Sequence, residues 1–190
     1  MPHDTSPPAP DADADCASRF DQWTRDHVPT LYRVAYRMLG DAHDAEDVLQ
    51  NTFRSAWVSR HLYDPGRSER AWLLGILRRR VADHWRKHGT SQTTLGDESA
   101  RLVAPPDPEP FAGELSARMQ RALGGLPAEL RETLVLVVVG ELTHREAADL
   151  QGIPLGTVLS RVSRARVRLR EFLLASALPR PGDVSSVGKD

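Results

Sequence analysis

The chain has 190 residues, with 25 Lys and Arg against 26 Asp and Glu, 40% hydrophobic residues, and no apolar run near the roughly 20 residues that a membrane helix requires. These figures fit a soluble protein of one large or two small domains and exclude a fibrous or wholly disordered chain. The single cysteine, Cys16, excludes an intramolecular disulfide and a multi-cysteine zinc site, and MPHDTSPPAPDADADC lacks the basic and apolar regions of a signal peptide, so the expected compartment is the cytoplasm.

Residues 1–17 are mainly Pro, Ala and Asp, too poor in large apolar groups to offset the entropy of ordering, and read as a disordered tail. From residue 18 to 88 apolar residues recur at helical spacing, broken only near Gly40-Asp41 and Asp64-Pro65-Gly66. Within that stretch, DAHDAEDVLQNTFRSAWVS turns Ala45, Val48, Leu49, Thr52, Phe53 and Ala56 inward. Asp44, Asp47, Gln50, Asn51 and Arg54 are left pointing out. An outward face of carboxylates and amides repels phosphate and suits a basic protein surface.

The next helix, RSERAWLLGILRRRVADHWRKH, places Leu73, Leu74, Leu77 and Val81 on its apolar stripe and Trp72, Arg78, Arg79 and Arg86 elsewhere. Guanidiniums interleaved with aromatic rings suit a nucleic-acid strand whose bases are being unstacked. The loop before it, His61 to Glu69, has the polarity to receive a flipped base; Trp72 and Trp85 suit core packing equally, and Trp85, near the apolar stripe, reads as core. Residues 89–113 hold four prolines and three glycines and read as a flexible linker.

Helical periodicity returns over 114–175, and 176–190 reads as a frayed tail. The β-branched run Thr133 to Val139 has no strand partner nearby, follows Leu126-Pro127, and is predicted to be a fully buried helix. Thr143 and Glu146 have capping-box spacing, which starts a short helix, and Gln151-Gly152-Ile153-Pro154 ends it in a tight turn. A second helix follows with Val158, Val162, Ala165, Leu169 and Phe172 as its buried stripe. This is a helix-turn-helix pattern. Thr157, Ser160 and Arg164 project away from the stripe, flanked by Arg161 and Arg168 on one side and Arg166 and Arg170 on the other. Small hydroxyls admit a helix close to base edges, and guanidiniums reach phosphates or guanine.

Charge follows this division: residues 1–66 sum to −5, 67–88 to +5 and 153–173 to +4. A near-neutral whole with two compact basic segments suggests two separate anionic contacts, because phosphates respond to the local field. The fold class is therefore all-α, with two small helical domains joined by a linker.

DAEDVLQNTFRSAW, RAWLLGILRRRVADHWRK and LPAELRETLVLVVVGELTHREAADLQGIPLGTVLSRVSRARVRLREFL together resemble the bacterial RNA polymerase sigma factors of the extracytoplasmic-function group, over roughly 20–88 and 114–174. The resemblance implies an N-terminal domain, region two, that grips the clamp helices of the polymerase largest subunit and opens the minus-ten promoter element. It implies a C-terminal domain, region four, that binds the polymerase flap and reads the minus-thirty-five element. By position, Asp44, Asp47, Gln50 and Asn51 fall in the polymerase-binding block. Trp72, Arg78, Arg79 and Arg86 belong to the helix beside melted DNA, and Thr157, Ser160, Arg161, Arg164 and Arg168 to the recognition helix. The family commonly carries lysine where Leu159 stands and asparagine where Arg79 stands, which leaves the promoter sequence open. An anti-sigma factor is implied as a further partner.

No catalytic constellation is evident. His84 and His88 have the spacing of a zinc-protease helix without its glutamate or a third ligand, and no phosphate-binding glycine loop or nucleophile elbow occurs. No cofactor or metal is therefore expected. The leading alternative is a ligand-responsive helix-turn-helix repressor, which would bind its operator tightly by itself. A second is an interaction protein whose basic helices are merely solvated, which would show no salt-dependent DNA binding.

Overall fold

The computed structural model describes residues 12–88 and 112–175, and every regular element among them is helical. The N-terminal half contains α1 (Ala12–Leu39), α2 (Ala42–Ser59), a 3-10 turn at Arg60–Leu62, and α3 (Glu69–Lys87). The C-terminal half contains α4 (Ala112–Gly124), α5 (Ala128–Val138), α6 (His144–Gln151) and α7 (Leu155–Ala175). Helix α1 begins inside the segment that composition assigns to a disordered tail, because Ala12 and the alanines after it favour helix and join a helix already anchored at Trp23. The rest of that segment, the linker segment 89–111 and the tail 176–190 lie outside the described residues.

Side chains set the helix starts. Asp41 accepts the Asp44 amide at the head of α2, and Ser68 accepts the Ala71 amide at the head of α3. Thr143 and Glu146 complete the expected capping box on α6. Gly152 ends α6 at φ 65°, a left-handed exit that costs glycine little, and α7 follows from Pro154.

Helices α1, α2 and α3 form one bundle around Leu31, Val34, Val48, Leu73 and Leu77. Rings reinforce it at one end: Trp23 meets Trp72 and Tyr63 edge-on at 5.7 and 4.7 Å between centroids, and Phe20 meets Trp57 at 5.1 Å. In the other half α7 lies across α4, α5 and α6, burying Val158, Val162 and Ala165. Leu169 is half-buried and Phe172 is 38% exposed, so the stripe fades toward the end of α7.

The run Thr133 to Val139 is helical as expected but not fully buried. Thr133 through Leu136 are enclosed, whereas Val138 is 54% exposed, because α1, α6 and α7 cover α5 and leave one side of its last turn open. The two halves are not separate beads. A single apolar cluster runs from Leu31 and Leu74 through Leu134 and Leu136 to Val158, with α1 against α5 and α3 against α6.

Gly140 is the tightest point of that junction. A Cβ there would sit 2.6 Å from the Leu136 carbonyl oxygen and 3.0 Å from Leu74 Cδ1, whereas a Cβ at Gly156 would meet nothing within 4 Å. Gly140→Ala is therefore expected to destabilise the protein by about 1–3 kcal/mol through overpacking. Gly156→Ala is expected to be neutral or to add up to about 1 kcal/mol of helix propensity. Thermal unfolding of the two variants checks this, and a Gly140→Ala protein as stable as the parent contradicts the junction.

Candidate nucleic-acid interface

The outward face of α2 is built as its sequence pattern requires. Asp47, Gln50, Asn51 and Arg54 are exposed, while Ala45, Val48, Thr52 and Ala56 on the opposite side are buried. Asp44 is turned partly aside: its carboxylate lies 3.3 Å from His84 Nε2 on α3, so it joins two helices as well as fringing the acidic face. His88 Nδ1 lies 3.0 Å from the His84 carbonyl oxygen, and the two rings stack at 4.2 Å. The two histidines thus serve the end of α3, and no cluster of three or more metal-ligating groups occurs among the described residues.

Helix α3 divides its basic residues between solvent and protein. Arg79 and Arg86 are exposed; Arg79 Nε donates to the Gly75 carbonyl, and Arg86 pairs with Asp83. Arg78 is half-buried, its Nε donating to a carboxylate oxygen of Glu132 on α5. Trp72 is half-buried in the ring cluster with Trp23 and Tyr63, so its face is already engaged by protein. Trp85 packs at the core margin, as expected, with the Arg131 guanidinium 5.7 Å from its ring centroid. Burial pushes the Arg131 pKa down, and its Nε has no hydrogen-bond partner.

The loop before α3 opens onto a cleft of about 560 Å³, lined by Tyr63, Arg67 and Ser68 on one side and by Glu141 and Glu146 of the other half across from them. Tyr63 donates its hydroxyl to the Arg67 carbonyl at 2.7 Å, and burial, then the Glu69 carboxylate, raise its phenol, so it remains a donor at neutral pH. The lining also carries Arg19, Arg67 and Arg70 against Glu69, Glu141 and Glu146, with Arg70 paired to Glu141, so charges of both signs meet in the cleft.

On α7 the face expected to meet DNA is partly preorganised. Arg164 Nε donates to the Ser160 carbonyl and its Nη2 to Ser160 Oγ, at 3.3 and 3.2 Å, holding an exposed guanidinium beside an exposed hydroxyl. Arg168 is exposed one turn on, and Thr157 is half-buried. Arg161 turns inward: it donates to Gln151 Oε1 and to Glu129 Oε2, both at 3.4 Å, with its side chain 21% exposed. That arginine fastens the helix to α5 and α6, which positions the outward residues instead of adding to them.

Sequence periodicity offered no sign of the residues that join the halves. Gln120, buried on α4, accepts from Arg37 and donates to the Tyr36 and Arg37 carbonyls at the end of α1, where helix geometry leaves acceptors free. Glu141, in a left-handed conformation at φ 55°, receives Arg70 Nη1 at 2.6 Å. Of the basic residues expected at minus-ten DNA, Arg78 is held by Glu132 of the half that carries α7.

Residues 23–90 match the family model for sigma-70 region 2, and residues 116–169 match that for sigma-70 region 4. The chain is 32% identical to the extracytoplasmic-function sigma factor SigW of Bacillus subtilis over 154 residues, 75% of this chain and 82% of that protein. The chain belongs to the extracytoplasmic-function sigma factors. It is also 37% identical over 158 residues to SigE of Mycolicibacterium smegmatis, of whose length it spans 61%. Among solved structures, the sigma factor resembles RpoE of Bartonella quintana, determined in complex with the anti-sigma factor NepR, with a TM-score of 0.67 at 28% identity over 83% of this chain and 98% of that one. It resembles CnrH in complex with the cytosolic domain of CnrY with a TM-score of 0.64 at 30% identity, over 85% and 94% of the two chains.

The Arg78–Glu132 pair supplies a direct test of the junction in this sigma factor. Reversing one charge with Glu132→Arg sets two guanidiniums together and is expected to cost about 1–3 kcal/mol, more than an exposed pair is worth, because both groups are partly enclosed. The swap Arg78→Glu with Glu132→Arg is expected to recover most of it. Denaturant unfolding of both single variants and the double variant measures the coupling, and additive losses contradict the contact.

Proposed function

We propose that this sigma factor binds RNA polymerase core through α2, opens the minus-ten element with α3 and its preceding loop, and reads the minus-thirty-five element with the outward face of α7. Its role is to direct initiation, not to catalyse a reaction, and its place of action is the cytoplasm; no described helix is long and apolar enough to cross a membrane. The observation that carries the reading is the pairing of an exposed acid-and-amide face on α2 with an arginine-bearing helix-turn-helix on the other half, within matches to both sigma regions. Asp47, Gln50, Asn51 and Arg54, with Asp44 at the margin, would meet the polymerase clamp helices. Arg79 and Arg86 would hold backbone phosphates of the melted element, and Ser160, Arg164 and Arg168 would meet the upstream duplex, with Arg161 and Thr157 positioning them.

The packed arrangement is the resting form in this reading. The two promoter elements lie about 25 base pairs apart, roughly 85 Å of duplex at 3.4 Å per base pair. A molecule in which Arg78 touches Glu132 does not span that distance, so the halves part on the promoter. The covalent reach of segment 89–111, at most roughly 80 Å, permits this. Parting also frees Arg78 for DNA. By likeness to the two solved complexes, an anti-sigma factor holds this chain inactive until it is released.

Run-off transcription with purified core and this chain as the specificity factor, on a library of random promoters, tests the assignment. Initiation from a shared two-element sequence is expected, with at least a tenfold loss in Asp47→Lys at the polymerase-binding step and in Arg164→Ala at the upstream element. Tight binding of a palindromic operator by the protein alone, with no transcript, would instead establish a repressor.

A further inference from the structure

Two side chains on the recognition helix have no part in the assignment above. Leu155 and Leu159 are 39% and 49% exposed and stand one turn apart at the N-terminal end of α7. They are not displaced core residues, because Val158 and Val162 fill the buried stripe of that same stretch. Exposed Ser160 and Ser163 flank Leu159 along the helix, and Arg166 and the exposed Val167 follow within two further turns. Between them Gly156 has open space on the side where a Cβ would project, so the backbone there is bare. The first turns of a recognition helix are the part that meets base edges in the major groove.

An apolar pair inside a basic face that fits a phosphate-lined groove calls for an apolar group within that groove. The base edges offer one, the C5-methyl of thymine; every other feature there is a hydrogen-bond donor or acceptor, for which leucine has no partner. We infer that Leu159, with Leu155 beside it, reads a thymine methyl in the minus-thirty-five element and sets this chain's preference at that base pair. The inference rests on the sigma-factor reading and adds to it a specificity-determining residue. Cytosine at the same place is disfavoured because it lacks the C5-methyl, while the polar group each base carries beside it is equally without a partner on leucine. Because Leu159 carries no charge, it contributes to sequence preference without contributing to the salt dependence of binding.

Holoenzyme assembled from polymerase core and this chain is bound to its selected promoter, and each thymine of the upstream element is replaced singly by deoxyuridine, which lacks only the methyl. One position is expected to lose about fourfold in affinity, the worth of one buried methyl group. Leu159→Ala is expected to bind the thymine promoter as weakly as the parent binds the deoxyuridine one, and to make no distinction between them. Leu159→Lys is expected to lose the thymine preference and to steepen the salt dependence by about one ion. Equal affinity for thymine and deoxyuridine at every position, a selected element without thymine, or a Leu159→Ala protein that keeps the preference would overturn the inference while leaving the sigma-factor reading intact. Absence of any promoter-selective binding by the holoenzyme would overturn both.

Discussion

Glu132 on α5 takes the guanidinium of Arg78 on α3, Glu141 takes Arg70, and Gln120 closes the carbonyl end of α1. These contacts fasten the half that carries α7 onto the half that carries α3. Their placement decides what each surface can do. Arg78, which the sequence pattern offers to DNA, is paired with Glu132 of the same chain, and the loop before α3 faces Glu141 and Glu146 across the cleft. The acid-and-amide side of α2, the side of α3 that bears Arg79 and Arg86, and the arginine side of α7 remain open.

The junction combines apolar burial with partly exposed ion pairs, and these have different strengths. Leu74, Leu134 and Leu136 lose essentially all contact with water, which resists separation strongly. The Arg70–Glu141 pair is open enough to be worth at most about 1 kcal/mol, and salt weakens it. Glu141 also occupies a left-handed backbone conformation that a non-glycine residue adopts only at some cost.

Local signals carried much of this architecture in the sequence. The Thr143–Glu146 capping box, the left-handed Gly152 and the alternation of inward and outward residues along α2 are all written within a few residues of where they act. What joins the halves was not legible, since Arg78 and Glu132 are 54 positions apart and Gln120 and Tyr36 are 84 apart, distances over which periodicity says nothing. The same blindness explains Trp72, which sequence pattern offers to unstacked bases and which the ring cluster with Trp23 and Tyr63 engages. It explains Arg161 as well: an outward guanidinium on a helical wheel becomes an inward one when Glu129 and Gln151 lie beside it. Val138 shows the converse, an apolar residue in an apolar run that none of the described helices covers.

The relation between the two halves is best measured as a distance. Spin labels on the exposed positions Lys87 at the end of α3 and Ser163 on α7 report it in the free protein and in the complex with polymerase core and promoter. A single short, narrow distribution in the free protein that moves out by more than a domain's width on the promoter is the result expected of a packed resting form that parts to span two elements. A distribution that is already broad and long in the free protein, or one that stays short in a complex active in transcription, would contradict it.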